Sequence, residues 1–334
     1  MTDTNAGGGT LSGIVVCTYQ FSGASLEQLR AAAGTEVMSI AKGEDFVARL
    51  PEAEVVCSYW MPLSWRERAT RLRWLQGAGA GVDGLRPTSI LDPAYGIMVT
   101  TASGIHANVI GEYVLCSMLM FNRNWPEMVR LQDKHTWPRS AGWYNLEGHE
   151  LDGATIGVIG LGQIGRRVAQ LAHAFGMRVL ATRRSARVGE SDPDVDQLCD
   201  MAQLPELLGQ SDYIVLSVPL TPATEHLIGE TELRAMKRTA YLVNIARGRV
   251  IDEAALIRAL QEHWIAGAGL DVASKEPLSE DSPLYSLPNV ILTPHISGVT
   301  THYEERLTAL FADNLRRYRS GQPLRNLYDP ARGY

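Results

Sequence analysis

The sequence predicts an α/β protein built as two doubly wound parallel-sheet units. Three observations predict it. Short apolar runs alternate with helical patterns along most of the chain, which is the rhythm of parallel βαβ units. The length of 334 residues corresponds to about two domains at about 150 residues each. A glycine-rich turn, Gly160-Leu-Gly-Gln-Ile-Gly165, joins a buried-type apolar run to a helical one, so a second α/β unit starts near the middle of the chain.

The elements follow in order. Residues Met1 to Thr10 are polar and glycine-rich. They lack the basic and apolar regions of a signal peptide and are expected to be a flexible tail. Gly13 to Thr18 is a strand. Ser25 to Ala33 is a helix capped by Ser25, with Glu27 in its first turn. Glu54 to Ser58 is the next strand and Ser64 to Leu72 the next helix. Trp74-Leu-Gln runs as a strand into Gly77-Ala-Gly-Ala-Gly-Val-Asp83, and Ile97 to Thr100 completes the first unit. An apolar helix spans about Asn108 to Phe121. A polar stretch with weak periodicity follows from Asn122 to Gly153, with Trp125, Trp137 and Trp143 in it. A long excursion of this kind is usually functional or an interface. Strands are then expected at Thr155–Ile159, Arg178–Ala181, Tyr213–Leu216, Ala240–Asn244, Ala268–Leu270 and Val290–Leu292. A helix covers Ile164 to Phe175. A last amphipathic helix covers about Thr301 to Tyr318, and its pattern suits packing on either unit.

Composition narrows the class. Lys+Arg is 31 and Asp+Glu is 37, a net charge of −6, which excludes the usual basic nucleic-acid binder. Hydrophobic residues are 45% and charged residues 20%, ordinary for a folded chain. Cys17, Cys57, Cys116 and Cys199 are scattered without a CxxC pair, so neither a disulfide framework nor a zinc site is expected. That usage points to a reducing cytoplasm. No apolar run reaches the roughly 18 residues of a membrane span. No metal site is expected.

Gly160, Gly162 and Gly165 form a GxGxxG run between a strand and a helix, the context that makes this motif specific. The first glycine permits the tight turn. The second lets the backbone approach a pyrophosphate, and the third lets helix and strand pack closely. The helix start offers free N–H groups to phosphates. A dinucleotide is therefore expected here. An NAD site expects an acid about 20 residues further on, bonding the ribose 2′-hydroxyl. The next strand instead ends Thr182-Arg183-Arg184-Ser185. A guanidinium fork suits a 2′-phosphate, so NADP (NADPH) is expected to be preferred, with NAD possible as well.

Three ionisable residues lie just past predicted strands of the second unit: Arg247, Glu276 and His295. Open α/β sheets place their ligands at those carboxyl ends. Arginine can hold a carboxylate and polarise a ketone. Histidine can exchange a proton near neutral pH, and a carboxylate beside it would favour its protonated form.

These motifs together resemble the D-2-hydroxyacid dehydrogenase family, in its NADP-preferring, glyoxylate/hydroxypyruvate reductase-like branch. The resemblance covers nearly the whole chain and is sharpest from Gly153 to Gly298. It rests on the glycine turn, Val218-Pro-Leu-Thr-Pro-Ala-Thr224, Asn244-Ile-Ala-Arg-Gly248, Leu270-Asp-Val272 with Glu276-Pro277, Ser282-Pro-Leu284 with Leu287-Pro-Asn289, and Thr293-Pro-His-Ile-Ser-Gly298. It implies that His295 is the general acid/base, Glu276 its partner and Arg247 the ligand of the substrate carboxylate and carbonyl. It implies cofactor contacts from Gly160, Gly162, Gln163, Ile164, Gly165, Thr182, Arg183, Arg184 and Ser185. It adds Val218, Pro219, Thr224, Ile245, Ala246, Asp271 and Gly298, with Asp271 on the nicotinamide side. Ala80 and Gly81 would grip the substrate carboxylate through backbone N–H groups, and Trp60 would touch the substrate side chain.

The family's layout implies a Rossmann dinucleotide-binding domain, 104–298, inserted into a flavodoxin-like substrate domain made of 1–103 and 299–334, with hinges near Ser103 and Gly298. Residues 122–153 would be a dimerisation arm that carries Trp137 towards a second subunit, giving a homodimer. The implied activity is hydride transfer between NADP(H) and a 2-keto acid/D-2-hydroxy acid pair such as glyoxylate, hydroxypyruvate or a larger 2-keto acid. Glu276 stands where formate dehydrogenases carry an amide, which argues against formate. A phosphite-type dehydrogenase shares the Arg–Glu–His set, and a dinucleotide-sensing regulator shares the fold. Both remain as alternatives. No nucleic-acid or membrane partner is expected.

Overall fold

The computed structural model describes residues 11–88, 90–138, 147–187 and 189–333. The chain divides into two compact units, Met1–Ile105 with Thr300–Tyr334, and His106–Val299. Each is organised by its own parallel sheet.

In the first unit β1 (Ile14–Cys17), β2 (Val37–Ser39), β3 (Ala53–Ser58), β4 (Trp74–Gly77) and β5 (Met98–Thr100) lie in the order β2-β1-β3-β4-β5. This is the flavodoxin-like order, with its switch point between β1 and β3. β3 is buried along its whole length. That is why it reads as a continuous apolar run and not as an alternation. The helices Gly23–Ala33 and Tyr303–Arg319 pack together on one face of this sheet. Beneath them Trp74 and Phe311 are both fully buried, with ring centres 5.5 Å apart and edge-on.

A polar thread fixes the returning helix to this sheet. Trp74 Nε1 donates to Thr100 Oγ1 at 2.8 Å, and Thr100 donates to Gln76 Oε1 at 2.9 Å. Asn314 Nδ2 donates to the same Gln76 oxygen at 3.2 Å. Each of these groups is buried and partnered, as buried polar groups must be. Tyr318 donates to Glu54 Oε1 at 2.9 Å, which ties the end of the helix to β3. The amphipathic pattern alone left this helix free to join either unit.

The strands of the second sheet are β6 (Thr155–Ile159), β7 (Arg178–Thr182), β8 (Gln197–Cys199), β9 (Tyr213–Leu216), β10 (Tyr241–Asn244), β11 (Gly267–Leu270) and β12 (Val290–Leu292). They lie in the order β12-β11-β10-β9-β6-β7-β8. All neighbours are parallel. The order reverses between β6 and β9, the switch point of a Rossmann sheet. The apolar helix Ala107–Asn122 packs on the helix Gln163–Ala174. A Cβ at Gly111 would come within 3.0 Å of Arg167 and Leu171 side chains, so the absence of a side chain there sets the spacing. The polar residues inside that apolar run have partners in the sheet: Ser117 with the Tyr241 hydroxyl at 2.9 Å, and Asn122 accepting from Tyr213 at 2.7 Å.

Several elements differ from the sequence expectation. The first helix is capped by Ser22, not Ser25. Ser22 has an extended backbone and its hydroxyl accepts from Ser25 N–H at 3.4 Å, which places Ser25 inside the first turn. The helix expected over Ser64–Leu72 runs Leu63–Arg68 and stops because Ala69 leaves helical geometry. β2 and β8 were not predicted. At three residues each they are too short to display a period. The stretch after Asn122 contains the helix Trp125–Asp133, which buries none of its residues. Trp143, with the rest of 139–146, lies outside the described residues. No described helix is long and apolar enough to cross a membrane.

Candidate active site

The glycine turn leaves β6 and opens the helix Gln163–Ala174. Gly160 has φ +103°, a left-handed conformation, and a Cβ there would sit 2.9 Å from the Ser217 carbonyl oxygen. A Cβ on Gly165 would stand 2.1 Å from the Gly160 carbonyl oxygen. Only glycine lets strand, turn and helix close up this way. Gly162 faces open space, where a pyrophosphate needs backbone approach. The N–H groups of Gln163 and Ile164 lie in the first turn and have no intrahelical acceptor. These residues fit a dinucleotide.

The neighbouring loops hold the turn in place. Gly160 N–H donates to the Thr182 carbonyl at 3.2 Å and to Thr182 Oγ1 at 3.3 Å, which joins the turn to the end of β7. Ser217 donates to the Gly160 carbonyl at 2.6 Å. Thr224 Oγ1 accepts from Thr221 N–H at 2.8 Å and donates to the Pro219 carbonyl at 2.6 Å, closing the loop that begins with Val218. Ile245 and Ala246 are buried beyond β10, each 6% exposed.

Arg183 follows β7 and is engaged. Its Nη1 donates to Asp192 Oδ2 at 2.9 Å, and its Nη2 pairs with Glu190. Asp192 also receives a two-pronged contact from Arg166, at 2.7 and 2.8 Å. The Arg166 guanidinium, foremost, holds the Asp192 carboxyl down at about 2. Arg184 and Ser185 are exposed.

The ionisable residues gather at the other strands. Gly248 packs so closely that a Cβ there would meet the Ala273 carbonyl carbon at 1.9 Å. This brings the Arg247 turn against the loop that leaves β11. Asn244 fixes that turn through Nδ2 to the Arg247 carbonyl at 3.0 Å. Arg247 Nη1 donates to the Ala246 carbonyl at 2.7 Å. Glu276 Oε2 contacts His295 Nδ1 at 2.7 Å, and Glu276 Oε1 accepts from Ala273 N–H at 3.2 Å. The His295 and Glu276 side chains are 47% and 39% exposed, so the pair is open to a ligand. A cavity of about 610 Å³ opens beside it, lined among others by Val272, Leu278, Tyr285 and Pro294.

His295 has φ +57°, an uncommon conformation for a side-chain-bearing residue. Asp271 over-determines it. Its carbonyl accepts the His295 N–H at 2.8 Å. Its carboxylate accepts from Ile296 N–H at 2.8 Å, Ser297 N–H at 3.0 Å and Thr293 Oγ1 at 2.6 Å. Tyr113 in turn hydrogen-bonds Thr293 Oγ1 at 2.7 Å, and burial pushes the Tyr113 hydroxyl up to about 12. Asp271 is 1% exposed, with its carboxylate turned onto the loop that presents His295. Thr293 and Tyr113 were missed by the sequence reading, and only Thr293's place two residues before His295 was a signal. Gly298 closes this segment, its carbonyl 3.2 Å from His106 Nδ1.

In the first unit, Ala80 and Gly81 follow β4. Just before them the Ala78 carbonyl accepts from the Tyr303 hydroxyl, and the Gly79 carbonyl accepts from Ala102 N–H at 2.8 Å. Trp60 follows β3. Lys42 lies over its ring, 3.8 Å from the centre, and Tyr59 stacks beside it at 6.4 Å.

The chain matches the model of the D-isomer specific 2-hydroxyacid dehydrogenase NAD binding domain over residues 115–297. A glyoxylate reductase of Thermococcus gammatolerans is 41% identical over 259 residues, 77% of this chain and 76% of that one. Among solved structures, a D-isomer specific 2-hydroxyacid dehydrogenase family protein from Aeromonas salmonicida superposes with a TM-score of 0.80 at 30% identity, covering 95% of this chain and 99% of that one. An NADPH-dependent glyoxylate/hydroxypyruvate reductase from Sinorhizobium meliloti, in complex with NADP and sulfate, gives 0.79 at 26% identity, covering 97% and 100%. With the glycine turn at the sheet's switch point and a paired histidine and glutamate beside an arginine turn, this chain belongs to the D-isomer specific 2-hydroxyacid dehydrogenase family.

Proposed function

We propose that this protein is an NADP(H)-preferring reductase of 2-keto acids, acting on glyoxylate, hydroxypyruvate or a larger 2-keto acid to give the D-2-hydroxy acid. The observation that carries the reading is the 2.7 Å contact between Glu276 and His295, with the loop that carries Glu276 packed against the Arg247 turn. The names of the relatives support the substrate class. Arg183 directly after β7 supports the cofactor preference, as does the NADP held by the Sinorhizobium structure.

A nicotinamide cofactor held at Gly160, Gly162 and the N–H groups of Gln163 and Ile164 would supply hydride-transfer chemistry to the carbonyl carbon. Arg247 binds the substrate carboxylate and polarises the ketone oxygen as negative charge develops on it. His295 holds its Nδ1 towards Glu276, which leaves Nε2 to deliver the proton to that oxygen. Glu276 orients the imidazolium, as in other base–orienter pairs. Ala80 and Gly81 contribute backbone N–H groups to the carboxylate, and Trp60 touches the substrate side chain.

The test is absorbance at the reduced-nicotinamide band, with NADPH and NADH offered separately. The panel is glyoxylate, hydroxypyruvate, pyruvate, phenylpyruvate and a branched 2-keto acid. Oxidation of NADPH by a member of the panel is the expected result, and the ranking defines the side-chain preference. No oxidation across the panel, with NADPH binding intact, overturns the reading and brings phosphite oxidation or cofactor sensing forward.

The protein is proposed to work as a homodimer. Trp125 is 56%, Val129 46% and Trp137 87% exposed, an apolar group on the stretch that the family reading makes an arm. Sedimentation equilibrium should give twice the chain mass, and a monomer at working concentration would reject this.

A further inference from the structure

We propose that Glu190 stands in for the cofactor's 2′-phosphate on Arg183, so that NADP(H) must displace it while NAD(H) need not, and that Glu190 thereby limits the preference for NADP(H). The inference rests on the reading of Arg183 as the 2′-phosphate ligand.

The two acids on Arg183 are not equivalent. Asp192 is fixed: its side chain is 6% exposed, it takes both prongs of Arg166, and it accepts Asp194 N–H at 3.2 Å. Glu190 is held more loosely. Its side chain is 37% exposed, and apart from Arg183 it accepts, among the described residues, only Arg187 N–H, at 3.0 Å. Arg183 directly follows Thr182, which accepts the Gly160 N–H, and its guanidinium shares Asp192 with Arg166 of the helix that the glycine turn opens. The Nε–H of Arg183 is buried and unpartnered among the described residues, so the two acids do not saturate the fork.

The charges decide which acid must yield. In the ion pairs among the described residues, Arg166 and Arg183 face Asp192, Asp194 and Glu190, two positive groups against three negative. A phosphate monoester carries about −1.5 to −2 at neutral pH and would enter a cluster already in negative surplus. Moving Glu190 removes that surplus at its most exposed member and frees one prong of the fork. Arg183 stays in place through Asp192. A 2′-hydroxyl is uncharged and does not compete for the guanidinium.

The test is binding, read from the fluorescence of the reduced nicotinamide with NADPH and NADH. Adenosine 2′,5′-bisphosphate and adenosine 5′-phosphate serve as competitors. Glu190→Gln should tighten NADPH and the bisphosphate about fivefold, the scale of one exposed ion pair, and leave NADH and the monophosphate where they were. Glu190→Ala should do the same. In an Arg183→Ala background the Glu190→Gln effect should vanish. Unchanged NADPH affinity in both Glu190 variants, or equal tightening of NADPH and NADH, overturns the proposal. The underlying reading is tested separately. Arg183→Ala must weaken NADPH far more than NADH, and if it weakens both alike, the reading of Arg183 fails and this proposal with it.

Discussion

His295 is held in a left-handed backbone by hydrogen bonds to Asp271, so its position does not depend on its ring. His295→Gln keeps that backbone frame and removes the proton carrier. Turnover should fall by about 10²–10⁴, the range of a general acid, with NADPH affinity nearly unchanged. Steady-state kinetics beside a binding titration would check it, and preserved turnover would remove His295 from the chemistry. Asp192 makes a prediction of a different kind. Its carboxyl is held at about 2 by Arg166, below the ~3.9 of an unperturbed aspartate. A lowered value means that the ionised form stabilises the fold. That contribution is complete above about pH 4 and is lost as pH falls through about 2. Asp192→Asn should therefore lower the melting temperature at pH 5–7, and the gap from the parent should close by about pH 2.

At the scale of elements, the glycine turn is the most exacting junction. Gly165→Ala places a methyl 2.1 Å from a backbone oxygen, and backbone cannot move aside as a side chain does. The helix Gln163–Ala174 must back away from β6. A loss of about 1–3 kcal/mol in chemical denaturation and weakened binding of both cofactors are expected, whereas retained affinity would detach the turn from cofactor binding. This junction was legible in the sequence because strand, glycines and helix are contiguous, and each glycine answers to a local steric demand. The pairing of Glu276 with His295 was only partly visible in the residues. They stand 19 apart, and their shared place past strand ends suggested the pair, which the resemblance then named. The Tyr113–Thr293–Asp271 chain escaped notice because packing alone assembles it from three distant segments. The acids on Arg183 escaped for a related reason. The expected acid was sought about 20 residues past the glycines, at the end of β7, and Glu190 and Asp192 lie in the loop beyond. Short strands such as β2 and β8 carried no period to read.

For the whole molecule, the decisive feature is that the first unit is made from two separated stretches of chain. Phe311, fully buried against Trp74, belongs to the returning stretch. Phe311→Ala should cost about 3–5 kcal/mol, measured by denaturant unfolding. If the loss is confined to the first unit, tryptophan emission from Trp74 will shift before the second unit melts, and a single coincident transition would show that the units unfold as one. The same division has a consequence during synthesis. Everything needed for the second sheet leaves the ribosome in one continuous run, so it can finish folding on its own schedule. The first sheet cannot. Between the emergence of β4 and of Tyr303 the ribosome adds more than two hundred residues, on the order of 10–45 s at ordinary elongation rates. Throughout that interval the face around Trp74 lacks the second of its two helices and the Phe311 ring, and a chaperone that binds early should be released when the helix Tyr303–Arg319 arrives.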